Sequence, residues 1–275
     1  MSKTIFVKTI LIVCGVLCLR FGLSFLPEMN IIGYEKPVHI SDLIEISDVT
    51  VLFTGAFFVI GLILAGTMSD YKESEKIPGE IASNLEALED HVLLAIRTYK
   101  PAEGKPDIDK EKLYTRLKEL THSVVAWFKT LEKDSKTIYT AIRRMNEMAY
   151  YISSIGGEKE AVKGLQDNLN QLRKNITRAY YIARTDFLAP AYFLLMSIVG
   201  CVIVLLLMCK FKTPMAAYGV TAFVSFIFIY LVQLIKGLDD PFDYGVDDVN
   251  VDLLPMERFK TRIDEGFYKE EENKG

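Results

Sequence analysis

The chain has 275 residues, of which 50% are hydrophobic and 25% charged, with a formal net charge of −4 at pH 7. Its apolar residues are gathered into blocks, which a water-soluble domain does not need, and no stretch is basic enough for nucleic acid. The four cysteines, at 14, 18, 201 and 209, all fall inside apolar blocks, and His39, His91 and His122 show no ligand spacing, so neither a disulfide framework nor a metal motif is read here.

In chain order, the first block is "IFVKTILIVCGVLCLRFGLSFL", residues 5–26, interrupted by Lys8 and Arg20. A cleaved signal peptide is one reading. No A-x-A-like site follows and the apolar run resumes after Arg20, which favours a retained span. Arg20 lies six residues before Leu26. A cation there snorkels to the outer interface or attracts anions at an outer vestibule. Residues 49–69, "VTVLFTGAFFVIGLILAGTMS", carry no charge and are long enough at 1.5 Å per residue to cross a hydrocarbon core of about 30 Å. Phe53, Phe57, Ile60 and Leu64 share one helical face of this block. Thr50, Thr54, Phe58, Gly61, Ala65 and Met68 share a neighbouring one. Small residues suit close helix packing, and a bulky apolar stripe suits a hydrophobic constriction that gates by dewetting.

Residues 70–186 are polar and charge-balanced, with 20 Lys+Arg against 19 Asp+Glu. They read as amphipathic helices. One stripe runs Ile81, Leu85, Leu88, Val92, Ile96 and Tyr99. The next runs Leu113, Leu117, Leu120, Val124, Phe128 and Leu131. Two more start at Ile138 and Val162. Breaks are expected at 100–107, near Asp134–Ser135 and at Gly156–Gly157. The last of these helices meets no strong breaker and is expected to run toward the third span, with a kink at Pro190. Residues 187–209 and 214–235 are two further uncharged blocks of spanning length. No strand-like alternation of useful length is found.

The expected fold is therefore an all-α integral membrane protein with four transmembrane helices in two pairs. Its parts are a first pair with a short outer loop (1–69), a helical cytosolic region (70–186), a second pair (187–236) and an acidic cytosolic tail (237–275). The N-terminus has Lys3 and Lys8, and five acids against one lysine follow the first span in residues 27–48. By the positive-inside rule both termini are cytoplasmic and the chain is a multi-pass cell-membrane protein. Lys210 and Lys212, in the short outer turn, run against that rule.

No catalytic motif is present: there is no G-x-S-x-G, no P-loop, no H-E-x-x-H and no Gly-rich dinucleotide turn, so no enzyme is expected. Residues 236–275 hold 12 acids against 6 bases. The tail's first stretch, "GLDDPFDYGVDDVNVDLLP", holds Asp239, Asp240, Asp243, Asp247, Asp248 and Asp252. Clustered carboxylates and carbonyls suit calcium. The stretch has no EF-hand loop, and a capped helix end with a solvated tail accounts for it equally well.

The segment "LIKGLDDPFDYGVDDVNVDLLPMERFKTRID" resembles the stretch after the last membrane helix of bestrophins and bacterial bestrophin-like proteins. Asp240-Pro241-Phe242 stands for the family's acidic Pro-Phe turn, and Asp248 to Pro255 is a looser match to the family's next segment. "AFFVIGLILAGTMSDYKESEKIPGEI" resembles the family's pore helix and its continuation, although "SDYKESE" replaces a basic-aromatic run. The resemblance implies a homopentameric, anion (chloride) selective channel in the lipid bilayer. Its hydrophobic neck would fall at Phe53, Phe57 and Gly61. Gly61 departs from the bulky pattern, which leaves Ile60 or Leu64 to narrow the pore. No cofactor is expected from the residues themselves; the resemblance to animal members makes calcium a candidate at the turn, a site that bacterial relatives often lack. The two acidic positions of animal members map to Gly245 and Asp248, so Asp239, Asp240, Asp243 and Asp247 would have to supply the missing carboxylate. The alternative is a non-conducting scaffold or sensor whose cytosolic helices bind a partner protein.

Overall fold

A computed structural model describes residues 3–29, 37–101, 106–130, 134–184, 189–242, 244 and 250–266. The chain divides into two compact units, one of residues 1–71, 186–241 and 246–249, the other of residues 72–185, 242–245 and 250–275.

The first unit holds α1 (Lys3–Leu23), most of α2 (Ile46–Ser74), α7 (Ala189–Met208) and α8 (Pro214–Asp239). All four are long and apolar enough to cross a membrane; in the helical stretch that starts with α2, the apolar window lies on α2 itself. α1 packs on α8, and α7 packs on both. The core between α2, α7 and α8 is built from Ala56, Ile60, Leu195, Val199, Phe228 and Val232. Val13 and Val16 of α1 meet Ile229 of α8 in a smaller cluster. Pro214 opens α8 at a position where a missing N–H costs nothing, and the Thr213 hydroxyl caps it by accepting from the Ala216 N–H.

Among the described residues, the expected all-α fold is amended by an isolated antiparallel bridge between Met29 and Val38 and by one two-residue ladder. Ile44–Glu45 (β1) pairs in parallel with Cys209–Lys210 (β2), and the Leu43 N–H donates to the Met208 carbonyl at 3.0 Å. Two residues are too few to show alternation, so no periodic signal marks this ladder. The helix expected to run into the third span does not do so. It ends at Ile182 with Ala183 as its cap, and α7 begins at Ala189. Pro190 therefore sits in the first turn of α7, where its ring fits, and does not kink a longer helix.

The second unit holds α3 (Ile77–Thr98), α4 (Lys110–Lys129), α5 (Ser135–Ser154), α6 (Lys159–Ile182) and α9 (Leu254–Glu265). The apolar stripes read from the sequence are its core: Leu85, Leu88, Val92, Leu113, Leu120, Phe128, Ile138, Ile142, Leu169 and Leu172 have no exposed surface. Asp109 and Asp134 cap α4 and α5 by accepting from backbone N–H groups at 3.0 Å. Gly156, at φ 92°, makes the turn into α6 that a Cβ would strain. α3 and α6 approach so closely that a methyl group on Gly164 would overlap the imidazole of His91.

The residues after Asn250 are not simply a solvated tail. α9 packs on α3 and α4 through Met256, Phe259 and Ile263, all buried. Arg262 donates to Glu89 at 2.7 Å and to Glu86 at 3.4 Å. Asp264 accepts from Lys118 and His122, both at 2.8 Å, and these hydrogen bonds hold its carboxyl below the usual carboxylate range.

Candidate functional site

α2 has two sides of opposite character. On one, Ile60 has no exposed surface and lies in the core beside α7 and α8, with Phe53 and Leu64 half-buried against the same cluster. A side chain held this way supports the helix and is not free to face a neighbouring subunit. On the other, Thr50, Thr54, Phe58, Gly61 and Ala65 are exposed. Phe58 is 66% exposed, and no atom lies within 4 Å of where a Cβ on Gly61 would stand. Thr50 and Thr54 turn their hydroxyls back to the carbonyls of Ile46 and Thr50, both at 2.9 Å, leaving their methyl groups outward. The face is thus uncharged and apolar along its length.

Phe57 sits on the border. Its ring lies 4.3 Å from that of Phe228, which is fully buried, yet it keeps 37% of its surface open. One edge of Phe57 is fixed by α8 and the other is available. Of the five residues read as a neck, the structure gathers Phe53, Ile60 and Leu64 into or against the chain's own core. Phe57 and Gly61 stay open. Phe58, which the resemblance did not map to the neck, joins the open face. An apolar groove of about 850 Å³ runs between α2 and α7, with Leu52, Gly55, Val59, Ile198, Cys201 and Leu205 among its walls.

Arg20 is 4% exposed. Its guanidinium donates to the carbonyls of Leu206 at 2.5 Å, Leu207 at 3.4 Å and Cys209 at 3.0 Å, and lies 4.8 Å over the ring of Phe211. The last carbonyls of a helix have no partner of their own and carry partial negative charge. Arg20 of α1 answers both needs at the end of α7. Sequence placed it near the outer end of α1, but no sequence signal marks backbone carbonyls as its partners.

In the acidic turn, Asp239 accepts from the Tyr192 hydroxyl at 3.0 Å, which joins the end of α8 to α7. Asp240 is the residue at which α8 stops. In the second unit, Phe242 is buried with its ring 5.5 Å from that of Phe128, and the Tyr244 hydroxyl donates to the Val251 carbonyl at 2.7 Å. Asp243, Asp247 and Asp248 lie outside the described residues, as does Gly245. Among the described residues no three His, Cys, Asp or Glu side chains converge as a metal site.

Four apolar helices of spanning length, each with exposed large hydrophobic side chains, define a membrane protein. The fold is that of the bacterial bestrophin homologues. A mutant of a bacterial bestrophin homologue from Klebsiella pneumoniae matches with a TM-score of 0.69 at 14% identity, over 94% of this chain and 97% of that one. A second mutant from the same organism gives 0.67 at 12% identity, over 94% and 98%. A crystal structure described only as a membrane protein gives 0.72 at 12% identity, over 94% and 96%. No protein-family model and no curated protein sequence matches the chain. The chain is a distant structural relative of the bestrophins.

Proposed function

We propose that the chain is one subunit of an oligomeric, bestrophin-like ion channel, a homopentamer selective for anions such as chloride. The observation that carries this reading is the division of α2: one side is locked into the subunit core by Ile60, and the other leaves Phe57, Phe58 and Gly61 uncovered and uncharged. Five such faces around a common axis make an apolar constriction. Phe57 and Phe58 form the bulky ring, and Gly61 gives a wider step one turn on. Ions crossing it shed water without meeting a ring of charge. Phe53 and Leu64 back the constriction, and Ile60 holds it in place.

In this reading both termini and residues 70–186 are cytoplasmic, and the second pair of spans supports the first. The acidic turn that begins with Asp239 and Asp240 at the end of α8 is the candidate gating turn of the inner mouth, and calcium is its candidate ion. The Arg20 guanidinium fixes the outer end of α7 and takes no part in attracting anions.

Recordings from planar bilayers test the assignment. Phe57→Ala removes a ring whose inner edge is fixed and whose outer edge lines the path, so unitary conductance is expected to rise severalfold. Unchanged conductance would take Phe57 out of the path. Mass measured in mild detergent gives five chains on this reading, whereas a monomer or dimer favours a non-conducting scaffold.

A further inference from the structure

α6 ends in a stripe of cations. Arg173, Lys174, Thr177, Arg178 and Tyr181 sit at steps of one and three residues, so they share one helical face, and with Glu73 they line a hollow of about 560 Å³. Arg178 is paired with Glu73. Arg173 and Lys174 are exposed and meet no carboxylate at ion-pair distance among the described residues. A helix C-terminus attracts cations, but that attraction fades beyond the last turn. Lys174 lies eight residues before Ile182, the last residue of α6, so the dipole does not account for it or for Arg173.

The depth of the hollow follows from α2. The uncharged run on that helix ends at Ser69, and Glu73 follows four residues later on the same unbroken helix. Four residues rise about 6 Å. The headgroup layer on each side of a hydrocarbon core is about 5–8 Å thick. Glu73, and with it the paired Arg178, therefore stands at headgroup level. Tyr181, 64% exposed on the same face, is a residue type that collects at that level. The Arg184 guanidinium, close behind in the chain, lies 4.9 Å over the Tyr180 ring and adds a further cation just before the start of α7.

We infer that this hollow binds the headgroup of an anionic phospholipid, with Arg173 and Lys174 on the phosphate diester, Arg178 held in position by Glu73, and Tyr181 against the glycerol region. Charge complementarity and depth both select that occupant. Guanidinium and ammonium groups suit a phosphate, and basic residues just beyond a span attract anionic lipid. This site does not depend on whether the chain conducts ions.

The test uses the full chain in mild detergent, with its melting temperature followed as phosphatidylglycerol, phosphatidylcholine or glycerol 3-phosphate is added. Phosphatidylglycerol is expected to raise it saturably, by an amount that shrinks with added salt. Phosphatidylcholine is expected to leave it unchanged. The Arg173→Ala/Lys174→Ala double variant should need roughly 30-fold more phosphatidylglycerol for the same rise. Its melting temperature without lipid should match wild type, because both side chains are exposed. Lys174→Glu should abolish the response. The inference fails if phosphatidylglycerol has no effect, if phosphatidylcholine acts equally, or if either variant responds like wild type. It also fails if glycerol 3-phosphate alone reproduces the rise, which would assign the hollow to a soluble anion.

Discussion

Replacing Arg20 by alanine is expected to destabilise the membrane-spanning unit by about 3 kcal/mol, with a fall in melting temperature of roughly 6–12 °C. One guanidinium serves two carbonyls in the last turn of α7 and one in β2 and stacks on Phe211. Removing it strands those carbonyls in a place where water is scarce, at about 1–3 kcal/mol for each group left without a partner. Some of that loss is recovered if water enters beside β2. Arg20→Lys should recover only part of the stability, because a single ammonium cannot hold the fan of acceptors that a planar guanidinium holds. The check is a thermal melt of the purified protein in mild detergent, read by helical circular dichroism. A melting temperature equal to wild type in Arg20→Ala would mean that the α7 terminus is satisfied without this side chain.

The second large effect is expected at Arg262. α9 has twelve residues and buries three apolar side chains, Met256, Phe259 and Ile263. Each contributes about 1.5–3 kcal/mol by transfer, and ordering the backbone offsets much of that. The polar contacts therefore decide whether α9 stays docked. The Glu89 side chain is only 8% exposed, and Arg262 is its partner at 2.7 Å. Arg262→Ala leaves that carboxylate buried and unpaired, which costs about 3 kcal/mol. Trypsin should then cleave within α9, at Arg258 or Lys260, much faster than in wild type. A Glu89→Gln/Arg262→Ala double variant should recover a large part of the loss, since a neutral amide is cheaper to bury than a lone carboxylate. Equal protease sensitivity in the single and double variants would show that the charge at Glu89 is not what the arginine answers.

Much of the architecture was legible because it rests on period and length. The blocks at 49–69, 187–209 and 214–235 became α2, α7 and α8, and the stripes beginning at Ile81, Leu113, Ile138 and Val162 became the buried sides of α3 to α6. Asp134 and Gly156 marked their breaks because caps and left-handed turns have local chemistry. Three features had no local signature. Arg20 is satisfied by carbonyls 186 to 189 residues away. The two-residue ladder of β1 with β2 is too short to show alternation. The choice of which side of α2 turns outward depends on what α7 and α8 present to it, and in a helix apolar all round the sequence offers no contrast between sides. Hence Ile60 and Gly61, adjacent in sequence and grouped as neck residues, differ completely in exposure. The spacing of Met256, Phe259 and Ile263 was visible, but the acidic surroundings of α9 favoured reading that region as solvated.

The central claim is that the open face of α2 lines an ion path shared between subunits. It is tested most directly by chloride efflux from liposomes reconstituted with wild-type protein and with Gly61→Trp. No atom lies within 4 Å of where a Cβ on Gly61 would stand, so a side chain introduced there starts in the open space in front of the face. Wild type is expected to release chloride well above protein-free liposomes. Gly61→Trp is expected to block that release while melting at the wild-type temperature. Absence of efflux from wild type, or undiminished efflux through Gly61→Trp, would contradict the account.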